Sequence, residues 1–154
     1  PKAKYLVQRD AWEEANNPGD RSKDSFLNKD LMALFERRQM VLLDGDSEVS
    51  SGIHVQVTNG HSSGYQIVYV HNGGQRLIFM GDLIPTSFHL EPPCIAAYDL
   101  NPEDTLRAKK KVLQFAEEKG WMIAFGRDPN QDVGFLERRN GYIQLRSLGN
   151  GTGN

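Results

Sequence analysis

The sequence predicts an α/β fold in which a mixed or mostly antiparallel sheet is covered by helices. Three observations carry that expectation. Short apolar runs of strand length recur along the chain, separated by turns rich in glycine and asparagine. One segment, Asn101 to Gly120, carries a full set of helix start and stop signals. No internal repeat or low-complexity tract breaks the pattern, and 154 residues suffice for one domain with a real core.

Taken in order, Tyr5 to Gln8 reads as a short strand and Ala11 to Ala15 as a helical turn. Asn17-Pro18-Gly19-Asp20 is a turn signal. Leu31 to Arg38 reads as a short helix and Met40 to Leu43 as a buried strand ended by Asp44-Gly45-Asp46. That acidic triplet lacks the spacing of a calcium loop and reads as a turn. Ile53, Val55 and Val57 alternate with His54 and Gln56, as in a half-buried strand. Tyr65 to Val70 and Arg76 to Met80 flank His71-Asn72-Gly73-Gly74-Gln75 as a β-hairpin.

The best helix follows a proline-rich loop. Asn101 is placed to cap it, Pro102 suits the first helical position, and Glu103 and Asp104 complement the dipole. Ala108, Val112 and Phe115 share a face that Leu113 and Ala116 widen, and Lys119-Gly120 closes the helix. Trp121 to Phe125 reads as a buried strand. Val133 to Glu137 and Tyr142 to Leu145 form a hairpin about Asn140-Gly141. Residues 1–147 make the domain and 148–154 a flexible polar tail, in which Asn150-Gly151-Thr152 matches a glycosylation acceptor by chance.

Composition excludes several classes of partner. A net charge of −2 gives no electrostatic reason to expect nucleic acid or an acidic membrane. The basic runs Arg37-Arg38, Lys109-Lys110-Lys111 and Arg138-Arg139 read as solvated helix faces or strand ends. Cys94 is the sole cysteine, which forbids an internal disulfide, suggests a reducing cytoplasmic setting and reads as a buried inert thiol. No apolar stretch reaches transmembrane length.

The candidate chemistry lies in two glycine-marked turns. His61 sits between two strands, where Gly60 and Gly64 permit a tight backbone excursion. A neutral imidazole there is either a ligand for zinc or iron or a hydrogen-bonded loop histidine. Asp82 follows the apolar run Leu77 to Gly81, so its carboxylate needs a cation, a metal or backbone donors, capping of the Leu83-Ile84-Pro85-Thr86 turn included. His54, on a strand's polar face, and His71, in a hairpin turn, read as solvated. His89 lies in the long loop between Asp82 and the helix, and loops of that length often border sites.

Several motifs in order resemble the metallo-β-lactamase superfamily. They are Gly60-His61-Ser62-Ser63-Gly64-Tyr65-Gln66, Phe79-Met80-Gly81-Asp82-Leu83 running on to Ile84-Pro85-Thr86, Tyr98-Asp99 before the helix, and Phe125-Gly126-Arg127-Asp128-Pro129 after it. The likeness spans roughly Pro1 to Asp128 and corresponds to the C-terminal half of such a domain. It implies half of an αββα sandwich, with a one- or two-metal site at the sandwich edge where hydroxide attacks an ester, lactone, thioester, amide or phosphodiester. Carried over by position, His61 is a metal ligand and Asp82 the catalytic carboxylate that bridges two metals, because its two oxygens can each hold one ion.

Two departures stand out. The family's first-half His-x-His-x-Asp-His cluster occurs nowhere in the sequence. Where the family has its last histidine, before Asp-Pro, this chain has Arg127, which offers no lone pair. Arg127 is expected to weaken or abolish one of the two metal positions in the complete protein, or instead to pair with an anionic substrate group or with Asp82 itself. The leading expectation, supported also by the mid-strand start at Pro1-Lys2-Ala3-Lys4, is the C-terminal portion of a hydrolase that holds zinc or iron when complete. Alone it is expected to be inactive, with too few ligands to require a metal. Its expected partners are a small-molecule substrate and either its missing N-terminal half or a second copy of the chain. The substrate side is assigned to Leu83 to Tyr98, with Phe88, His89 and Pro92-Pro93, and to Arg127. The alternative is a metal-free relative used for binding or regulation.

Overall fold

The computed structural model of the chain describes residues 2–26 and 28–148. The tail beyond residue 148, with its Asn150-Gly151-Thr152 triplet, lies outside the described residues. Two parallel strands, β1 (Tyr5–Gln8) and β2 (Met40–Leu43), make a small sheet. Their crossover carries helices α1 (Arg9–Asn16) and α2 (Asn28–Glu36). Helix α2 starts three residues before the first apolar position, because a first turn such as Asn28-Lys29-Asp30 needs dipole complementarity, not apolar contacts.

The main sheet has seven strands in chain order: β3 (Ser47–Ser50), β4 (Ile53–Val57), β5 (Gln66–Asn72), β6 (Gln75–Phe79), β7 (Met122–Ala124), β8 (Val133–Arg139) and β9 (Tyr142–Ser147). β6 and β7 run parallel and the other neighbouring pairs antiparallel, so the sheet is mixed as expected. The β6–β7 connection holds helix α3 (Pro102–Lys119), whose ends match the sequence signals. Asn101 accepts from the Asp104 amide at 3.2 Å, and Gly120 takes the left-handed conformation at φ 62°. The hairpin between β5 and β6 is tighter than expected, turning on Gly73-Gly74, so His71 belongs to a strand and stacks on His54 with ring centroids 5.5 Å apart.

One sheet face packs on α3. Ile67, Ile78, Ile123, Ile143 and Leu145 meet Val112, Leu113 and Ala116 in one buried cluster. Each fully buried aliphatic side chain there contributes about 1.5–3 kcal/mol.

The opposite face is apolar too. Val55, Val68, Phe79, Ala124 and Val133 are successive cross-strand partners over five strands, and Ile53, Val70, Leu77, Met122 and Phe135 form a second such row. Val55 is buried, but the others are only partly covered and Phe79 is exposed.

Two expectations are corrected. Lys109 is not solvated with Lys110 and Lys111; it has no exposed surface, and its ammonium donates to the carbonyls of Glu91 at 2.9 Å and Cys94 at 2.6 Å. Cys94 is exposed, because that same bond holds its carbonyl inward and leaves the side chain at the surface.

Candidate active site

Strands β4, β6 and β7 point the same way, so the turns that follow them gather at one edge of the sheet. Those turns carry His61, Asp82 and Arg127.

The His61 turn is built by contacts on both sides. Gly60 lies so close to Thr105 in the first turn of α3 that a Cβ there would collide with the threonine hydroxyl and backbone. The Gly60 and His61 carbonyls accept from the Asn101 and Leu100 amides at 2.9 and 3.2 Å. Gly64, at φ 62°, packs against Gln8 and Ala11 and donates its amide to the Asn59 side chain at 2.8 Å. The turn is thus clamped between α1 and α3.

Within the turn, the imidazole is oriented by a buried carboxylate. Asp99, 1% exposed, accepts from the Thr105 hydroxyl at 2.6 Å and lies 3.0 Å from His61 Nδ1. An ionised carboxylate only accepts, so Nδ1 is the donor in this contact and Nε2 is the nitrogen turned toward Asp82. Tyr65 and Tyr98 stand edge-on to the ring, with centroids 4.9 and 5.6 Å away. Beside it opens a cavity of about 270 Å³ lined by Arg21, Ser22, Phe26, His61, Tyr65 and Tyr98.

Asp82 sits in a single 3-10 turn, Gly81–Leu83, just past β6. Gly81 adopts φ 51° and abuts the Tyr65 hydroxyl, where a Cβ would not fit. That hydroxyl accepts from the Asp82 amide at 2.5 Å, and burial pushes the phenol above its usual range. The carboxylate projects toward two groups. Its Oδ2 is 3.7 Å from His61 Nε2, while Arg127 grips both oxygens, Nε to Oδ1 at 2.6 Å and Nη2 to Oδ2 at 3.2 Å. Pairing with Asp82 holds the guanidinium even more firmly protonated than usual. The rest of Arg127 is exposed.

The loop after Asp82 is tied to the loop after β7. Arg127 donates its amide to the Pro85 carbonyl at 3.3 Å. Burial pushes the Asp128 carboxyl up, but hydrogen bonds from the Ser87 side chain and the amides of Ser87, Asn130 and Gln131 prevail and bring it down to about 2. His89 bonds the Thr86 hydroxyl through Nδ1 at 2.8 Å. It makes no hydrogen bond or ion pair with the His61–Asp82–Arg127 cluster among the described residues.

The structure therefore brings His61, Asp82 and Arg127 together and keeps His89 on the bordering loop. Sequence reading missed Asp99, Tyr65 and Thr105 as members of the site. Tyr98-Asp99 belongs to the motif order, yet no spacing rule ties a residue 38 positions away to His61.

A zinc or iron ion needs three protein donors in an open site. Among the described residues no group of three metal-ligating side chains comes together. His61 Nε2 and Asp82 Oδ2 alone converge, and Arg127 already occupies the carboxylate. By themselves these residues do not fit a catalytic metal.

No protein-family model matches the sequence. Among solved structures, the chain matches a probable metal-dependent hydrolase from Staphylococcus aureus with TM-score 0.77 and 28% identity, over 92% of this chain and 51% of that one. It also matches AbOPH, a hydrolase of the beta lactamase superfamily, with TM-score 0.78 and 18% identity over 96% of this chain and 56% of that one. AidC, a dizinc quorum-quenching lactonase, gives TM-score 0.74 and 15% identity over 96% and 55%. The mixed sheet with its covering helices is half of a metallo-β-lactamase fold, and the structural neighbours are metal-dependent hydrolases of that superfamily. The chain spans about half the length of the solved relatives it matches.

Proposed function

We propose that this chain is the C-terminal half of a metallo-β-lactamase-fold, metal-dependent hydrolase, inactive until an N-terminal half covers the sheet's second face. The observation that supports this most is that face itself. Two apolar rows cross five strands with only partial cover, and large contiguous apolar surfaces of this kind mark an interface. The His61 and Asp82 turns lie at an edge of the same sheet, where a second half would meet them.

In the completed site His61 Nε2 and Asp82 are ligands for zinc or iron, with the remaining donors from the other half. Asp99 holds His61 in the tautomer that ligation needs. The substrate is a small molecule with an ester, lactone, thioester, amide or phosphodiester bond. The Leu83 to Tyr98 loop, with His89, and the exposed part of Arg127 form its binding side.

The test is to produce the chain alone and together with the coding sequence that precedes Pro1. A metal-containing complex with esterase or lactonase activity is expected from the pair and none from the chain alone, which should associate in sedimentation. A well-folded, strictly monomeric chain refutes the bare-face argument. An intact protein with neither transition metal nor metal-dependent hydrolysis refutes the enzyme. The Arg127–Asp82 pair favours a second reading, a metal-free relative acting in binding or regulation; substituted histidines in the preceding His-x-His-x-Asp-His segment would support it.

A further inference from the structure

The cavity of about 270 Å³ beside His61 is walled by aromatic rings and has one arginine among its lining residues. We propose that it seats a single aromatic ring of the substrate and that Arg21 recognises a carboxylate on that ring. The inference rests on the hydrolase reading above and narrows its substrates to those in which the bond to be cleaved hangs from a ring that keeps a free carboxylate.

Size and wall chemistry set the first limit. Sites for drug-sized molecules run from about 300 to 1,000 Å³, so this cavity has room for one ring with a short arm and not for a long chain. Phe26, Tyr65 and Tyr98 supply aromatic walls, and Tyr98 is exposed although it stands edge-on to His61. Such walls favour a planar ring, which meets them offset or edge to face and buries apolar surface on both partners. Tyr98 is the last residue of the Leu83 to Tyr98 loop, so the cavity continues the binding side assigned to that loop.

Charge sets the second limit. No aspartate or glutamate lines the cavity among the described residues, and the neighbouring Asp99 carboxylate is committed to Thr105 and His61. A cationic ligand therefore finds no partner. Arg21, by contrast, keeps its charge at any working pH. Its Nη2 donates to the carbonyls of Ala97 at 2.9 Å and Asp99 at 3.1 Å, the residues on either side of Tyr98. Those bonds use both Nη2 hydrogens and fix the guanidinium against the Tyr98 segment. Nη1 and Nε make no hydrogen bond among the described residues, which leaves their hydrogens for an acceptor from outside the chain. A carboxylate there gains charge-assisted bonds from a donor already held in place.

The experiment uses the full-length gene product that contains this chain, stripped with chelator so that no metal can hold a carboxylate. Benzoate and benzyl alcohol, which share the ring and differ in charge, are titrated in and followed by ligand-observed NMR. Benzoate is expected to bind about tenfold more tightly than the alcohol, as one charge-assisted hydrogen bond allows. Arg21→Gln should abolish that preference and retain the alcohol, and Tyr98→Ala should weaken both probes; circular dichroism verifies folding. Binding of neither probe, equal affinity for the two, equal loss of both in Arg21→Gln, or binding that Tyr98→Ala leaves unchanged overturns the inference. With metal restored, 4-acetoxybenzoate should be hydrolysed with a lower KM than phenyl acetate. Equal KM for the two esters overturns the substrate assignment and leaves the hydrolase reading standing. A protein that binds benzoate selectively but takes up no metal overturns the hydrolase reading, and the substrate role of the cavity with it.

Discussion

Replacing Lys109 by methionine removes an ammonium sealed beneath the surface of α3, the one fully buried lysine among the described residues. In the wild type it has no exposed surface and two carbonyl partners, Glu91 and Cys94. Burial lowers its pKa from 10.5 to about 8, although Cys94, Asp99 and Glu91 pull it back upward. The folded chain releases this proton near pH 8, and the unfolded chain only near 10.5. Between those values the unfolded state binds more protons, so stability rises with pH. The gap of about 2.5 units corresponds to at most about 3 kcal/mol gained across that window. At pH 7 the charge is held at that penalty, offset by two charge-assisted hydrogen bonds contributing about 1.5–3 kcal/mol each. Methionine removes both terms but leaves the Cys94 carbonyl without its donor, so Lys109→Met should be the less stable protein at neutral pH by about 1–3 kcal/mol. Urea unfolding followed by tryptophan fluorescence at pH 7 to 10.5 reads this directly. The wild type should gain on Lys109→Met by up to about 3 kcal/mol as pH rises. Parallel stability curves for the two proteins would refute the argument, because they would mean that burial does not depress this amine.

Other perturbations reach the site and its supports. Asp99→Asn should cost about 1–3 kcal/mol and mix the His61 tautomers, visible as a change in imidazole nitrogen shifts by NMR; an unchanged spectrum would remove Asp99 as the orienting group. Gly60→Ala drives a methyl into the Thr105 backbone and should cost roughly 1–3 kcal/mol or more, whereas Gly19→Ala, with nothing near, should stay within about 0.5 kcal/mol in thermal unfolding. The folded Asp128 carboxyl titrates at about 2 against 3.8 in an unfolded chain, so its contribution is complete above pH 4 and fades as pH falls toward 2. Asp128→Asn should flatten acid unfolding in that window, and an identical acid limb would count against the Ser87–Asn130 network.

Local chemistry made much of the fold legible. The ends of α3 follow from Asn101, Pro102 and Gly120, and the β8–β9 hairpin from Asn140-Gly141. β3 escaped notice because Ser47-Glu48-Val49-Ser50 has one apolar residue; pairing with β4 makes it a strand. Lys109 looked like its two neighbours, and only the folding back of the Glu91–Cys94 loop gives it carbonyls to bond. In the site, His61 and Asp82 stood out as residue types in glycine turns, and Arg127 as the residue standing where the family resemblance implies a histidine. That Arg127 grips Asp82 was one of several open readings, decided by β6 and β7 lying side by side although the two groups are 45 positions apart. Asp99 and Tyr65 stood within the ordered motifs, but their roles arise from tertiary proximity to His61 and Asp82.

The parallel β6–β7 pair gives the two sides of the site unequal stiffness. Asp82 and Arg127 ride on neighbouring strands whose spacing of about 4.8 Å is fixed by the sheet ladder. His61 instead depends on Asp99 and Thr105, at the first turn of α3, and helix ends as a class open before their middles. A fluctuation that unwinds the first turn of α3 would release the imidazole while the carboxylate and guanidinium kept their places. Loss of geometry would therefore begin on the histidine side, and a ligand contacting the Leu100–Thr105 segment would govern His61 without touching the strand ends.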